Sequence, residues 1–132
     1  MNKNKPYGQE LILDLYGCNI DRFNRGDIEE FFEQLCKLVD MKRENLHFWD
    51  YEGVPEDEIS YDQPHLLGTS AVQFISTSNI VIHTLSLVKE CYINLFSCKE
   101  FNPTTAIKFT KEWFGSLDCD YSVITRGKRT KC

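Results

Sequence analysis

Three apolar runs rich in β-branched residues follow one another between Gly68 and Cys98, with only short polar breaks between them. The runs cover roughly residues 70–76, 80–85 and 92–97, and Thr77-Ser78-Asn79 forms the first break. Runs of this length are typical of strands, and breaks this short can connect only antiparallel neighbours. The stretch therefore predicts a three-stranded meander whose first hairpin turns at residues 77–79.

Three further strands are predicted outside this stretch. Residues 9–16 nearly alternate aliphatic and polar side chains and stop at Gly17, residues 46–51 are aromatic and short, and residues 121–125 form a last apolar run. Between the second strand and the meander, residues 52–63 are acidic and aperiodic, which indicates a surface loop. This loop is either a lid over a site or a spacer.

Two segments have the apolar spacing of amphipathic helices. One begins at Asp27, the predicted N-cap, and its apolar stripe is Ile28, Phe31, Phe32, Leu35, Cys36 and Val39. The other begins with Asn102 as N-cap and Pro103 at the first helical position, ends at Gly115, and has the stripe Ala106, Ile107, Thr110, Trp113 and Phe114. The chain is therefore predicted to be one α+β domain over residues 1–132, an antiparallel sheet with two helices on one face.

The central strands are apolar on both sides, and the helices can cover only one of them. We assign one side to Val72, Phe74, Ile80 and Ile82 and the other to Ala71, Ile75, Val81 and Leu85. An apolar sheet face of this size on a globular protein usually marks an interface. We therefore predict a homodimer that packs sheet on sheet, giving four layers in the order αββα.

Charge and cysteine content exclude several classes of function. The chain of 132 residues has a net charge of −5, which argues against nucleic acid as a partner, and the basic tail at residues 126–131 is too short to change this. No apolar run approaches the ~20 residues of a membrane span, and the N-terminus lacks the apolar core of a signal peptide. The six cysteines form no metal-type grouping with His47, His65 and His83. These features predict a cytoplasmic protein with reduced thiols, no metal and no membrane partner.

Polar residues at unusual places in the meander suggest covalent chemistry. Ser78 lies in the predicted turn, His83 follows it by five residues, and Cys98 ends the third run. A hydroxyl, an imidazole and a thiol can together support nucleophilic catalysis. The alternative is structural, with Ser78 an ordinary turn residue, His83 a core histidine and Cys98 a small hydrophobe. Asp14 in the first strand is a minor candidate.

The spacing of these residues resembles a known enzyme family. The segments Gly68-x-Ser70, Ile75-Ser76-x-Ser78, Ile82-His83-Thr84 and Leu95-Phe96-x-Cys98 are similar, without a gap, to the core of the small prokaryotic S-adenosylmethionine decarboxylases. Gly8, Leu11, Asp14, Tyr16 and Cys18 also resemble that family's opening strand. The likeness extends over about residues 7–115.

The resemblance implies a proenzyme that cleaves itself between Thr77 and Ser78. The Ser78 hydroxyl would attack the Thr77 carbonyl to give an ester, and His83 would assist loss of the Ser78 α-proton, leaving a pyruvoyl group at the new N-terminus. Ser70 matches the position that assists processing by hydrogen bonding. The pyruvoyl cofactor would form a Schiff base with the substrate and accept electrons as carbon dioxide leaves. Cys98 matches the acid that reprotonates the product, a role that needs a thiol whose pKa is not lowered.

The chain departs from the family pattern at three places, and two alternatives follow. Thr77 and Asn79 replace the usual glutamate and histidine beside the cleavage serine, and Leu85-Ser86-Leu87 replaces a Trp-Pro-Glu segment associated with substrate contacts. The first hypothesis is therefore a decarboxylase of S-adenosylmethionine that serves spermidine synthesis. The second is the same chemistry on a basic amino acid, such as ornithine or arginine, that contacts the acidic loop. The third is an uncleaved relative that binds a metabolite or a partner protein.

Overall fold

Six antiparallel strands form a single sheet in this computed structural model, which describes residues 5–129. The strands are β1 (Gly8–Tyr16), β2 (Arg43–Trp49), β3 (Ser70–Ile75), β4 (Ser78–Leu85), β5 (Glu90–Ser97) and β6 (Asp118–Arg126), and their order across the sheet is β2-β3-β4-β5-β1-β6. The helices are α1 (Arg25–Leu38) and α2 (Pro103–Phe114), with single 3₁₀ turns at residues 20–22, 56–58 and 64–66. The predicted order of elements and the antiparallel α+β architecture are confirmed.

Both helices bury their apolar stripes against the same face of the sheet. Strand β1 contributes Leu11, Leu13 and Leu15 to this core, each 2% exposed or less. Phe31 of α1 stacks on Phe109 of α2 with ring centroids 5.9 Å apart. Aromatic and aliphatic burial of this kind contributes about 1.5–3 kcal/mol per side chain and accounts for the two-layer packing.

Helix α1 begins earlier than its sequence predicted. Asn24 is the N-cap, since its side-chain oxygen accepts a hydrogen bond of 2.9 Å from the backbone N–H of Asp27. The prediction of Asp27 as N-cap is therefore wrong, because Asn24 already caps the helix end and Asp27 lies in the first turn. Helix α2 is as predicted, with Asn102 as N-cap and Gly115 in the left-handed conformation that ends it.

Strand β2 is displaced from its prediction because polar contacts determine where it begins. The Gln73 amide of β3 is fully buried, accepts a 2.9 Å hydrogen bond from Arg43 Nε and donates one of 3.0 Å to the Glu44 carbonyl. These bonds extend β2 to Arg43, and the strand ends at Trp49 instead of residue 51. Strand β6 is likewise longer than predicted.

The β3–β4 turn comprises only Ser76 and Thr77, since Ile75 pairs with Ser78. The predicted turn at residues 77–79 is therefore wrong, and so is the assignment of side chains to the two faces. Val72 pairs with Val81, so these two lie on one face, and Ile80 and Ile82 lie on the other with the buried Gln73 and Ile75. The face without helices, here called the open face, consists chiefly of Ile12, Val72, Phe74, Val81, His83, Tyr92 and Phe96. In the single chain the open face is half-exposed rather than buried.

Candidate active site

The four predicted site residues lie in two separate pairs. Ser70 and His83 are directly opposite each other on β3 and β4, and the Ser70 hydroxyl is 2.7 Å from His83 Nδ1. Ser78 and Cys98 meet near the other end of β4, where the backbone N–H of Cys98 donates a 2.8 Å hydrogen bond to the Ser78 hydroxyl oxygen. Ser70 and His83 come from neighbouring strands, and Ser78 of β4 meets the residue that follows β5, so the meander assembles both pairs.

The two pairs are far apart within one chain. Ser78 and His83 are separated by five residues of one strand, which corresponds to about 17 Å at 3.3 Å per residue. Successive side chains of a strand also point to opposite faces, and Ser78 is 7% exposed on the helix side while His83 is exposed on the open face. A single chain therefore does not bring the imidazole to the serine.

A close backbone contact holds the Ser70–His83 pair in register. A Cβ atom added to Gly68 would lie only 1.5 Å from the Thr84 carbonyl oxygen, so only glycine allows the chain to enter β3 this close to β4. Beside it, the Thr84 hydroxyl donates to the Thr69 carbonyl at 2.9 Å and accepts from the Thr69 N–H at 3.1 Å. These contacts position Ser70 directly across from the imidazole.

Thr77, the residue before Ser78, has an unusual backbone conformation. Its φ of +56° is in the left-handed region, which is unfavourable for a β-branched residue. Its carbonyl oxygen accepts a 3.3 Å hydrogen bond from the hydroxyl of Tyr7, and its own hydroxyl donates to the Ser76 carbonyl at 2.8 Å. No sequence pattern indicated a role for Tyr7 here, because it precedes β1 and contacts a residue 70 positions later.

The thiols differ sharply in their electrostatic surroundings. Burial raises the pKa of Cys18 and of Cys36 to about 11, and it raises the pKa of Cys91 well above its ordinary value. The pKa of the more exposed Cys98 is instead lowered, first by the Thr77 hydroxyl and then by the Ser78 hydroxyl, which can donate to a thiolate. As a neutral thiol, Cys98 lies 3.6 Å from the Ser76 carbonyl oxygen. The expectation of a Cys98 thiol whose pKa is not lowered therefore does not hold for the intact chain. Both hydroxyls that lower this pKa belong to the uncleaved Thr77-Ser78 segment.

A cavity of about 440 Å³ opens beside the Ser70–His83 pair. Its remaining lining residues are Trp49, Tyr51, His65, Leu66, Gly68, Thr84, Leu85 and Tyr92, and so no carboxylate of the described residues lines it. Two acids of the polar loop have other partners, since Glu52 forms an ion pair with Arg25 and Glu56 accepts a hydrogen bond from the Tyr61 hydroxyl. Asp14 lies across β5 from His83, with Tyr92 between them. The cavity thus offers aromatic surfaces rather than negative charge.

Comparison with known proteins gives a consistent result along nearly the whole chain. The sequence profile of the S-adenosylmethionine decarboxylase family matches residues 9–127. The S-adenosylmethionine decarboxylase proenzyme of Clostridium botulinum (strain Hall, type A) is 29% identical over 126 residues, which are 94% of this chain and 97% of that protein. The proenzyme of Geobacillus kaustophilus is 28% identical over 122 residues, 92% of this chain and 89% of that protein.

The fold has a solved counterpart. The crystal structure of the adenosylmethionine decarboxylase from Aquifex aeolicus VF5 superposes with a TM-score of 0.72 at 21% identity, covering 93% of this chain and 92% of that one. Neither helix found within residues 5–129 has the length and the apolar composition that a membrane span requires. With the family profile matching residues 9–127, the chain belongs to the S-adenosylmethionine decarboxylase family, a family of carboxy-lyases.

Proposed function

We propose that this chain is a proenzyme that cleaves itself between Thr77 and Ser78 and then decarboxylates S-adenosylmethionine, supplying the aminopropyl donor for spermidine synthesis. The observation that carries the proposal is the β3–β4 turn, where a buried serine hydroxyl follows a carbonyl held in a strained conformation and lies against Cys98. Strain at a single residue of this kind is often associated with function. The similarity to proteins named S-adenosylmethionine decarboxylase proenzymes supports the proposal.

The cleavage would proceed in two steps. The Ser78 oxygen attacks the Thr77 carbonyl carbon, the peptide C–N bond breaks, and the hydroxyl proton is transferred to the Ser78 nitrogen, which leaves an ester. His83 then accepts the Ser78 α-proton, the bond between Cβ and the ester oxygen breaks, and Thr77 leaves as a carboxylate. Addition of water and loss of ammonia convert the remaining residue to a pyruvoyl group, which supplies an electron sink for decarboxylation.

The imidazole for the second step would come from a second copy of the chain. Because Ser78 and His83 are about 17 Å apart along β4, one chain cannot join them. Two open faces packed together with their β4 strands antiparallel would set the Ser78 end of one strand about 10 Å from the His83 end of the other. The same packing would cover Val72, Val81 and their apolar neighbours. We therefore propose a homodimer with two sites, each completed by Ser70 and His83 of the partner subunit.

Processing would also change the charge state of Cys98. The two hydroxyls that lower the pKa of its thiol belong to Thr77 and Ser78. Cleavage removes the Ser78 hydroxyl and adds the negative charge of the Thr77 carboxylate, and both changes favour the neutral thiol. Cys98 would then hold the proton that it donates to the product carbon.

The cavity beside Ser70 and His83 would hold the substrate. Its volume of about 440 Å³ suits a molecule of nucleoside size. Trp49 and Tyr51, whose ring centroids are 5.5 Å apart, offer faces for a purine ring and for the sulfonium cation. An ornithine or arginine side chain would need a carboxylate here, and among the described residues no aspartate or glutamate lines the cavity. This difference favours S-adenosylmethionine over a basic amino acid.

Intact-mass measurement tests the cleavage. We expect the purified wild-type protein to separate into residues 1–77 and residues 78–132, the latter with a mass that fits a pyruvoyl group in place of Ser78. A Ser78→Ala chain is expected to remain at full length, because it has no nucleophile. A single full-length mass for the wild type under active conditions would refute the proposal.

Release of labelled carbon dioxide tests the substrate. Carboxyl-labelled S-adenosylmethionine is expected to give labelled carbon dioxide with the cleaved wild type and none with Ser78→Ala. Labelled ornithine and arginine serve as the comparison. Release from ornithine or arginine but not from S-adenosylmethionine would support a pyruvoyl-dependent decarboxylase and refute S-adenosylmethionine as its substrate.

A further inference from the structure

We propose that Tyr7 is a catalytic residue of self-cleavage, and that its hydroxyl stabilises the negative charge that develops on the Thr77 carbonyl oxygen during ester formation. This inference rests on the proposed cleavage between Thr77 and Ser78. The hydroxyl of Tyr7 lies 3.3 Å from that oxygen and donates to it. Sequence patterns did not select Tyr7, and it is not one of the four residues assigned by family resemblance.

Two neighbours, Phe96 and Gly127, hold Tyr7 in place although the residue is 50% exposed. The ring packs on Phe96 of β5, with centroids 6.0 Å apart and planes tilted by 37°. The Arg126 guanidinium lies 4.9 Å from the centre of the same Phe96 ring and forms a 2.7 Å ion pair with Glu10. Gly127 approaches Tyr7 so closely that an added Cβ would lie 2.6 Å from the Tyr7 Cβ. Phe96 of β5 and Gly127, the residue after β6, therefore restrict where the Tyr7 ring can lie.

The donor meets the atom whose charge changes most in the first step. When the Ser78 oxygen attacks, the electron pair of the Thr77 C=O bond moves to the carbonyl oxygen, and it returns as the C–N bond breaks. Tyr7 keeps its proton throughout and only strengthens its hydrogen bond, since bonds to charged acceptors are shorter and stronger than bonds to neutral ones. A hydrogen bond that is stronger in the transition state than in the ground state accelerates the step.

The hydrogen bond from the Tyr7 hydroxyl to the Thr77 carbonyl oxygen is long in the intact chain. A distance of 3.3 Å exceeds the usual range for O–H···O bonds, so the ground state gains little from it. Catalytic hydrogen bonds are often long before the reaction and tighten as charge develops. The hydroxyl is thus positioned for the tetrahedral intermediate rather than for the folded precursor.

Tyr7→Phe tests the inference, with Tyr121→Phe as the matched control. Each substitution removes one hydroxyl from a tyrosine that is at least half exposed, and Tyr121 lies on β6 away from the turn. The precursor is produced by cell-free synthesis, and intact mass follows its conversion to residues 1–77 and 78–132 over time. We expect Tyr7→Phe to cleave about tenfold more slowly than wild type, below the full effect of a buried oxyanion donor because the site is open to water. Tyr121→Phe is expected to cleave at the wild-type rate.

A second measurement isolates ester formation. In a His83→Ala background the second step is blocked, and hydroxylamine releases residues 1–77 only from the ester. Release from His83→Ala/Tyr7→Phe is expected to be about tenfold slower than from His83→Ala alone. Equal rates in both comparisons, with a wild type that cleaves, would overturn the role of Tyr7 and leave the proposed function intact. A wild type that never cleaves would instead refute the proposed function itself.

Discussion

The pKa of Cys98 depends on the two residues at the proposed cleavage site. Its thiolate would accept hydrogen bonds from Thr77 and Ser78, and these hydroxyls lower its pKa. The family resemblance was enough to single out Cys98 together with Ser70, Ser78 and His83. The lowered pKa was not predictable, because it arises from the two-residue turn that brings both hydroxyls to the end of β5.

Alkylation of Cys98 as a function of pH tests this dependence. In an uncleaved Ser78→Ala chain, the Thr77 hydroxyl remains, and we expect the rate of reaction with iodoacetamide to reach half its maximum below the ordinary thiol pKa of 9.0. Replacing Thr77 by Val in the same chain removes the donor that stabilises the thiolate, so the midpoint should move to higher pH. Peptide mass spectrometry assigns the label to Cys98. Identical midpoints for the two chains would show that Thr77 does not affect the thiol.

At the scale of elements, the pairing of β3 with β4 determines the site. Alternation of apolar residues predicted both strands, but it could not place the turn, because Thr77, Ser78 and Asn79 are all residues that turns accept. The turn has two residues instead of the predicted three, so the pairing register differs by an odd number of residues, and this exchanges the two faces of one strand relative to the other. This explains why Phe74 was assigned to the same side as Ile80 and Ile82, whereas the register places it opposite Asn79 on the open face.

Gly68 gives the pairing a direct test. In Gly68→Ala the new methyl group would overlap the Thr84 carbonyl oxygen, so β3 must move away from β4 at the level of Ser70 and His83. We expect the free energy of unfolding to fall by about 1–3 kcal/mol, measured by urea titration, together with slower self-cleavage. Gly26→Ala is the control, since its nearest neighbour would be 3.5 Å away, and its stability should be unchanged or slightly higher. Equal stabilities for the two variants would contradict the close contact at Gly68.

The distance between the Ser70–His83 pair and the Ser78–Cys98 pair is the main argument for a site shared between two chains. The sequence predicted an apolar sheet that needs a partner, and the half-exposed open face is consistent with that prediction. It could not show that Ser78 and His83 point to opposite sides of β4, because the turn had to be placed first. The proposed dimer therefore has a chemical reason as well as a hydrophobic one.

Complementation between inactive chains tests the shared site. Ser78→Ala retains its imidazole and His83→Ala retains its nucleophile, and neither is expected to cleave on its own. Co-expressed in equal amounts, they should form mixed dimers in which up to about half of the His83→Ala chains are cleaved by His83 of the partner subunit, as intact mass would show. As a control, His83→Ala is co-expressed with the double variant Ser78→Ala/His83→Ala, and we expect no cleavage because neither chain has His83. Cleavage of His83→Ala alone to completion would rule out this role for His83.

The strand order determines how the two pieces that the proposed cleavage would produce are held together. Strands β1, β2 and β3 precede the Thr77–Ser78 bond, while β4, β5 and β6 follow it, yet β1 lies between β5 and β6 in the sheet. The pieces are thus interleaved, each contributing one helix to the common core. The chain can lose its covalent continuity at the hairpin without giving up any strand pairing, and separating the pieces afterwards would require unfolding both. Unfolding of the cleaved protein becomes a dissociation as well, so its stability would rise with protein concentration.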